Sequence, residues 1–144
     1  QKTGLSVESL SVLRPIAASL PVFVSLTFER RKRGFFTVMG DPLVASLETL
    51  AAAGADVVGA NCTLTSSDMR VLADETTTIG HPVVLQPNAG APELVGGALR
   101  YGQDPDEYAR DAEAMFASGA LAVGGCCGTD PRFIAALVRQ RIGR

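Results

Sequence analysis

Val123-Gly-Gly-Cys-Cys-Gly-Thr-Asp-Pro131 places two adjacent thiols, bracketed by glycines, where a small apolar run gives way to a helix start. The run Ala120 to Val123 is short and apolar, as in a buried parallel strand, and Asp130-Pro131 offers an N-cap residue followed by proline in the first turn. Cys126 and Cys127 are therefore expected at the carboxyl end of a strand, where parallel α/β folds collect ligands and catalytic groups. A second copy of the arrangement lies upstream. Gly54-Ala-Asp-Val-Val-Gly-Ala-Asn-Cys62 aligns without a gap on Gly119-Ala-Leu-Ala-Val-Gly-Gly-Cys-Cys127. Helix-ending glycine, strand, second glycine and final cysteine all match, so Cys62 is the counterpart of Cys127. Each copy also follows a helix opened by Asp-Pro, at Asp41-Pro42 and at Asp104-Pro105.

Outward from these copies the chain keeps alternating. Apolar spacing predicts a helix from Val7 to Leu20 that Pro15 should kink or split, then a mostly buried strand from Val22 to Phe28. Glu29 to Gly40 reads as a long loop carrying Arg30, Arg31, Lys32 and Arg33, four of the thirteen basic residues. A helix from Asp41 to about Ala53 stops at Gly54 and feeds a strand from Ala55 to Asn61. Ser66 or Ser67 is expected to cap the next helix, to about Thr77, and Val83 to Gln86 forms a further strand. Ala91 to Gln103, with a proline and three glycines, reads as an irregular loop. Helices from Pro105 to Ser118 and from Pro131 to Ile142 flank the last strand. Strict alternation argues for a parallel sheet with right-handed crossovers. Four strands suit a small doubly wound sheet, or half of an eight-stranded barrel of about 250 residues.

Composition narrows the class. At 144 residues and 47% hydrophobic, the chain is expected to form a single domain, 1–144, with a sizeable core. No apolar run approaches the ~18 residues of a membrane span, and nothing resembles a signal peptide, so a soluble, cytoplasmic protein is expected. A net charge of -2 gives no basic face for nucleic acid. An odd three cysteines, two of them adjacent, fit reduced thiols better than a disulfide framework. Gln1 in place of an initiating methionine reads as a chain cut from something longer.

Three thiolates converging at one end of a sheet suit zinc, which favours sulfur ligands in tetrahedral geometry. The only histidine, His81, belongs to the amino end of its strand and is a poor fourth ligand. An open fourth position is the mark of a catalytic zinc. A substrate thiol bound there would lose its proton, so the chemistry points to activation of a thiol nucleophile. Other readings are cysteines as core filler, a strained Cys126 to Cys127 disulfide, or a phosphate at the Gly-Thr-Asp turn, which Asp130 would repel. Asn88, in a Pro-Asn-Ala-Gly turn, shares the cysteine end and is either a turn residue or a ligand contact. The Arg30 to Arg33 run reads as a solvated loop, and Asn61 and Gln86 as structural.

Gly-Ala-Asn-Cys62, Gln-Pro-Asn-Ala-Gly90 and Gly-Gly-Cys-Cys-Gly-Thr129, in this order and spacing, resemble the homocysteine S-methyltransferase family from about Pro21 onward. Betaine-homocysteine methyltransferase and the homocysteine domain of cobalamin-dependent methionine synthase are members, and the Arg33 to Gly40 loop looks closest to the latter branch. The resemblance implies a (β/α)8 TIM barrel of which this chain holds only the C-terminal four β/α units. It implies zinc on Cys62, Cys126 and Cys127, homocysteine thiolate in the fourth position, Asn88 against the amino acid, and methyl transfer giving methionine. It leaves the methyl donor open, a methylated corrinoid on a partner domain being one choice. The absent half would come from a second copy or another polypeptide; otherwise the chain is an inactive fragment or a zinc-binding assembly module. Phe133 stands where the family often has histidine, and Gln86 where an aromatic residue is frequent.

Overall fold

The computed structural model describes residues 2–143 as an α/β fold around a four-stranded parallel sheet. α1 (Lys2–Ala17) leads to β1 (Phe23–Leu26), a hairpin of β2 (Phe28–Arg31) and β3 (Gly34–Thr37), α2 (Leu43–Ala52) and β4 (Val57–Thr65). There follow α3 (Ser66–Thr76), β5 (Val83–Asn88), a hairpin of β6 (Pro92–Val95) and β7 (Ala98–Tyr101), α4 (Pro105–Ala117), β8 (Ala122–Val123) and α5 (Pro131–Ile142). The sheet order is β1-β4-β5-β8 with every pair parallel. Each strand joins the sheet beside its predecessor, without the reversal that marks a doubly wound fold. Right-handed crossovers then keep the connecting helices on one face, which is the winding sense of a TIM barrel.

Register decides what lies under those helices. Val24, Val58 and Val83 lie side by side across the sheet, as do Leu26, Ala60 and Leu85, and all pack against Leu43, Leu47, Leu50, Met69, Leu72 and Met115. Each fully buried large side chain of this layer contributes about 1.5–3 kcal/mol. The other face carries the buried Val57 and Gly59, the partly buried Ser25, Asn61, Val84 and Gln86, and Phe23, which is 53% exposed. A Cβ on Gly59, on that face, would run into the Val84 carbonyl, so β4 and β5 approach closely only because position 59 is glycine.

The internal repeat is structural. Gly54 (φ 100°) and Gly119 (φ 97°) end α2 and α4 in the left-handed conformation. Gly54 N–H donates to Ala51 and Ala55 N–H to Leu50, at 3.0 and 3.1 Å; Gly119 to Phe116 and Ala120 to Met115 repeat this at 2.9 and 3.1 Å.

Several expectations change. Neither long loop is irregular: the strand expected over Val22 to Phe28 breaks at Thr27, and β2 then pairs antiparallel with β3. Ala91 to Gln103 contains the β6–β7 hairpin, whose Gly96-Gly97 turn takes positive φ at both positions, the geometry a two-residue hairpin loop requires. Thr65, not Ser66 or Ser67, caps α3 by accepting from Asp68 N–H. Asp104 and Asp130 cap α4 and α5 as expected, whereas α2 starts after Pro42 and Asp41 instead accepts from Thr3 of α1. α1 begins earlier than expected and runs through Pro15, ending two residues later. No helix among the described residues is long and apolar enough to cross a membrane.

Candidate metal centre

Cys62, Cys126 and Cys127 meet at the carboxyl end of the sheet, with their sulfurs all within 4.8 Å of one another. Cys62 Sγ lies 3.6 Å from Cys127 Sγ, and Cys126 Sγ lies 4.0 Å from Cys127 Sγ. All three are free and partly buried. Zinc–sulfur bonds of about 2.3 Å at tetrahedral angles set sulfurs about 3.8 Å apart. The donor set and its spacing therefore fit a tetrahedral zinc with one position left over. Among the described residues this is the one group of three such side chains close enough to share an ion. His81 is elsewhere, donating through Nε2 to the Ala55 carbonyl at the opposite end of the sheet.

Backbone geometry makes the convergence. The strand expected to end at Asn61 continues to Thr65, but between Asn61↔Gln86 and Thr65↔Asn88 it uses four steps against two on β5. The surplus is a bulge in which Cys62 and Thr63 take φ of 61° and 59°, left-handed values that cost a non-glycine residue energy. That bulge turns the Cys62 thiol toward the other two. On the other side, the β5–β8 ladder continues past β8 as loop pairing: Gly124 N–H to Leu85, Cys126 N–H to Pro87 and Ala89 N–H to Cys127, each 2.9 Å. Asn88, only 4% exposed, accepts from Cys127 N–H through Oδ1 at 3.1 Å. Thr129 closes the turn by donating its hydroxyl to the Cys126 carbonyl at 2.7 Å.

Cys62 and Cys126 are not electrically equivalent. Burial pushes the Cys62 thiol up, but Thr63 N–H and hydrogen bonds from Cys127, Cys126 and Asn88 outweigh it and leave a net downward shift. Burial, then the Cys62 and Cys127 sulfurs, push Cys126 up. Of these two thiols Cys62 is the readier to ionise, and a cation that balances the charge favours the loss of further protons. The N-terminus of α5 holds no room for an anion, since Asp130 fills it and pairs with Arg132 at 2.7 Å.

Two contributors were not legible as such in the sequence. Tyr108 of α4 is fully buried, stacks edge-on against Phe133 at 5.3 Å, and donates its hydroxyl to the Gly124 carbonyl, fixing the glycine pair before the cysteines. Tyr101 ends β7 and rests its ring on Gly128, directly after Cys127. They are the chain's two tyrosines, and an aromatic residue alone in the glycine-rich run Gly96 to Gly102 was the available signal for Tyr101.

The profile of the homocysteine S-methyltransferase family matches residues 4–141. The chain belongs to the homocysteine S-methyltransferase family. Among curated relatives it is 35% identical over 117 residues to methionine synthase of Mycobacterium leprae, covering 80% of this chain and 10% of that one. Against methionine synthase of Mycobacterium tuberculosis the identity is 33% over 117 residues, with the same coverage, 80% and 10%. The chain thus spans about a tenth of the length of the curated relatives it matches. Among solved structures, the homocysteine methyltransferase MmuM from Escherichia coli in its metallated form superposes with a TM-score of 0.61 at 27% identity, over 91% of this chain and 39% of that one. Its apo form gives 0.62 at 26% identity, over 93% and 45%.

Proposed function

We propose that this chain is the thiol-activating C-terminal half of a homocysteine methyltransferase barrel, a cytoplasmic domain 1–144 that transfers a methyl group to homocysteine to give methionine. The observation that carries it is the cluster of three free cysteine sulfurs at tetrahedral spacing with no fourth protein ligand among the described residues. Cys62, Cys126 and Cys127 would hold the zinc ion, which when bound supplies a dication that favours the thiolate over the thiol of a fourth, substrate sulfur. The bulge at Cys62 and the loop pairing of Cys126 and Cys127 with Pro87 to Ala89 pre-set the three donors. Asn88 holds Cys127 through Oδ1 and is assigned to contact the amino acid as well. The methyl donor is a methylated corrinoid on a partner domain or a small methyl donor. The open sheet face, with Phe23 exposed, favours completion of the barrel by a second copy or another polypeptide.

Zinc per chain in reduced protein, followed by cobalt substitution and visible spectra before and after homocysteine, tests this reading. One metal per chain, with a thiolate charge-transfer band that grows on adding homocysteine, is the expected result. A band indifferent to homocysteine would favour a non-catalytic zinc-binding assembly module, a reading that the incompletely covered sheet face also supports. No metal, with three freely titratable thiols, would end the zinc proposal.

A further inference from the structure

Two adjacent cysteines do not share an ion by default, because in extended backbone successive side chains leave on opposite sides. Cys126 and Cys127 bring their sulfurs to 4.0 Å because the chain turns at this pair. Thr129 N–H donates to the Cys126 carbonyl at 3.2 Å and closes a four-residue turn, whose third position, Gly128, has φ 79° as a type II turn requires. The backbone groups of the pair can be followed one by one. Cys126 N–H goes to Pro87, Cys127 N–H goes to Asn88 Oδ1, and the Cys127 carbonyl accepts from Ala89, so three of the four bind the end of β5. The fourth, the Cys126 carbonyl, accepts from Thr129 twice, from its N–H and from its hydroxyl at 2.7 Å. The Thr129 side chain also stands over Gly125, where a Cβ would run into its Oγ1, Cβ and Cγ2. Gly125 does not take a left-handed φ, so that side chain is what requires glycine there.

We propose that Thr129 is a positioning residue of the metal centre, whose hydroxyl, held against the Cys126 carbonyl, fixes the turn that aims both adjacent thiols at one ion. This rests on the zinc reading above. The Cys126 carbonyl belongs to the peptide plane that joins the two cysteines. Swinging that plane is the motion that would send one sulfur away from the other, and a carbonyl held by two donors resists it. Any residue but proline at 129 would supply the N–H. The threonine side chain adds the second bond and a contact with Gly125, so the chain is gripped on both sides of Cys126. Such outer contacts hold ligands in the geometry that a metal needs.

The test compares the cobalt-loaded 144-residue chain with Thr129→Val, which keeps the branched shape over Gly125 and removes the hydroxyl, and with Thr129→Ser, which keeps the hydroxyl. By competition with a chelator, Thr129→Val is expected to bind cobalt about tenfold more weakly. Its thiolate-to-cobalt band is expected to lose intensity per bound ion as Cys126 leaves the ion. Thr129→Ser is expected to restore both. Band intensity is a readout that a merely structural role would not move, and thermal melts of the metal-free proteins report that role separately. Weaker binding with an unchanged band would make Thr129 a residue of the fold alone and overturn the proposal. So would a Thr129→Val protein identical to the unaltered chain, or a Thr129→Ser protein as impaired as Thr129→Val, each leaving the zinc reading intact. If the unaltered chain takes up no cobalt, the zinc reading fails and this inference with it.

Discussion

At the residue scale, the unusual feature is that a metal ligand candidate sits in strained backbone. Cys62 and Thr63 both hold left-handed φ without being glycine, at a cost of about 1–3 kcal/mol each that only the surrounding pairing of β4 with β5 can impose. Such strain persists where it aims a functional group, and here it brings the Cys62 sulfur 3.6 Å from that of Cys127. Cys62→Ser is therefore expected to abolish stoichiometric zinc binding, whereas His81→Asn should retain it, because His81 is bonded to Ala55 at the far end of the sheet. Metal analysis of the two purified variants checks both halves of the statement. Equal zinc in both would remove Cys62 from the ligand set. The cysteines were legible in the sequence because the repeat sets Cys62 and Cys127 65 positions apart in equivalent frames. The bulge was not, since nothing in Asn61-Cys-Thr-Leu64 contains the glycine that usually announces left-handed backbone.

At the scale of elements, α1 is fastened to the sheet by one carboxylate. Asp56, at the entry to β4, accepts from Val22 N–H at 2.7 Å and takes both arms of the Arg14 guanidinium at 2.8 Å. The Val22 bond first, then Arg14, hold its carboxyl below the usual carboxylate range. A depressed carboxyl stabilises the fold fully above its unfolded pKa, near 4, and that contribution is lost as the pH drops through the lower folded value. Asp56→Asn should accordingly lower the urea midpoint at pH 7, and its difference from the unaltered chain should shrink as the pH falls below about 4. A difference that stays constant over that range would show that Asp56 acts through packing alone. Arg14 and Asp56 lie 42 residues apart, which is why local pattern gave no hint of the pair. By contrast Asp104 and Asp130 were readable as caps, because a cap bonds to amides two or three residues away.

At the scale of the whole molecule, the sheet has two free edges, β1 and β8. The chain leading into the first carries the exposed Ile16 and Leu20, with Phe23 on β1 itself, and the chain around the second carries the exposed Leu121, Ile134 and Val138. Unpaired edges flanked by apolar side chains template association. The 144-residue chain is expected to sediment as a dimer or larger species, and the double variant Ile16→Glu, Phe23→Asp to shift toward monomer with its circular dichroism unchanged. A strictly monomeric unaltered chain at micromolar concentration would count against a second copy completing the barrel and favour another polypeptide.

The sequence by itself determined the alternation of helix and strand, the repeat, the caps at Asp104 and Asp130, and the three thiols at one end of a parallel sheet. These are carried by short-range signals: apolar spacing, a cap within three residues, a glycine at a helix end. Only the tertiary structure decided that the strands add in sequence order, that Cys62 reaches its partners through a bulge, and that Tyr101 and Tyr108 buttress the site. Each of those depends on contacts between residues far apart in the chain, Asn61 with Gln86 or Tyr101 with Gly128, whose energies no local stretch encodes.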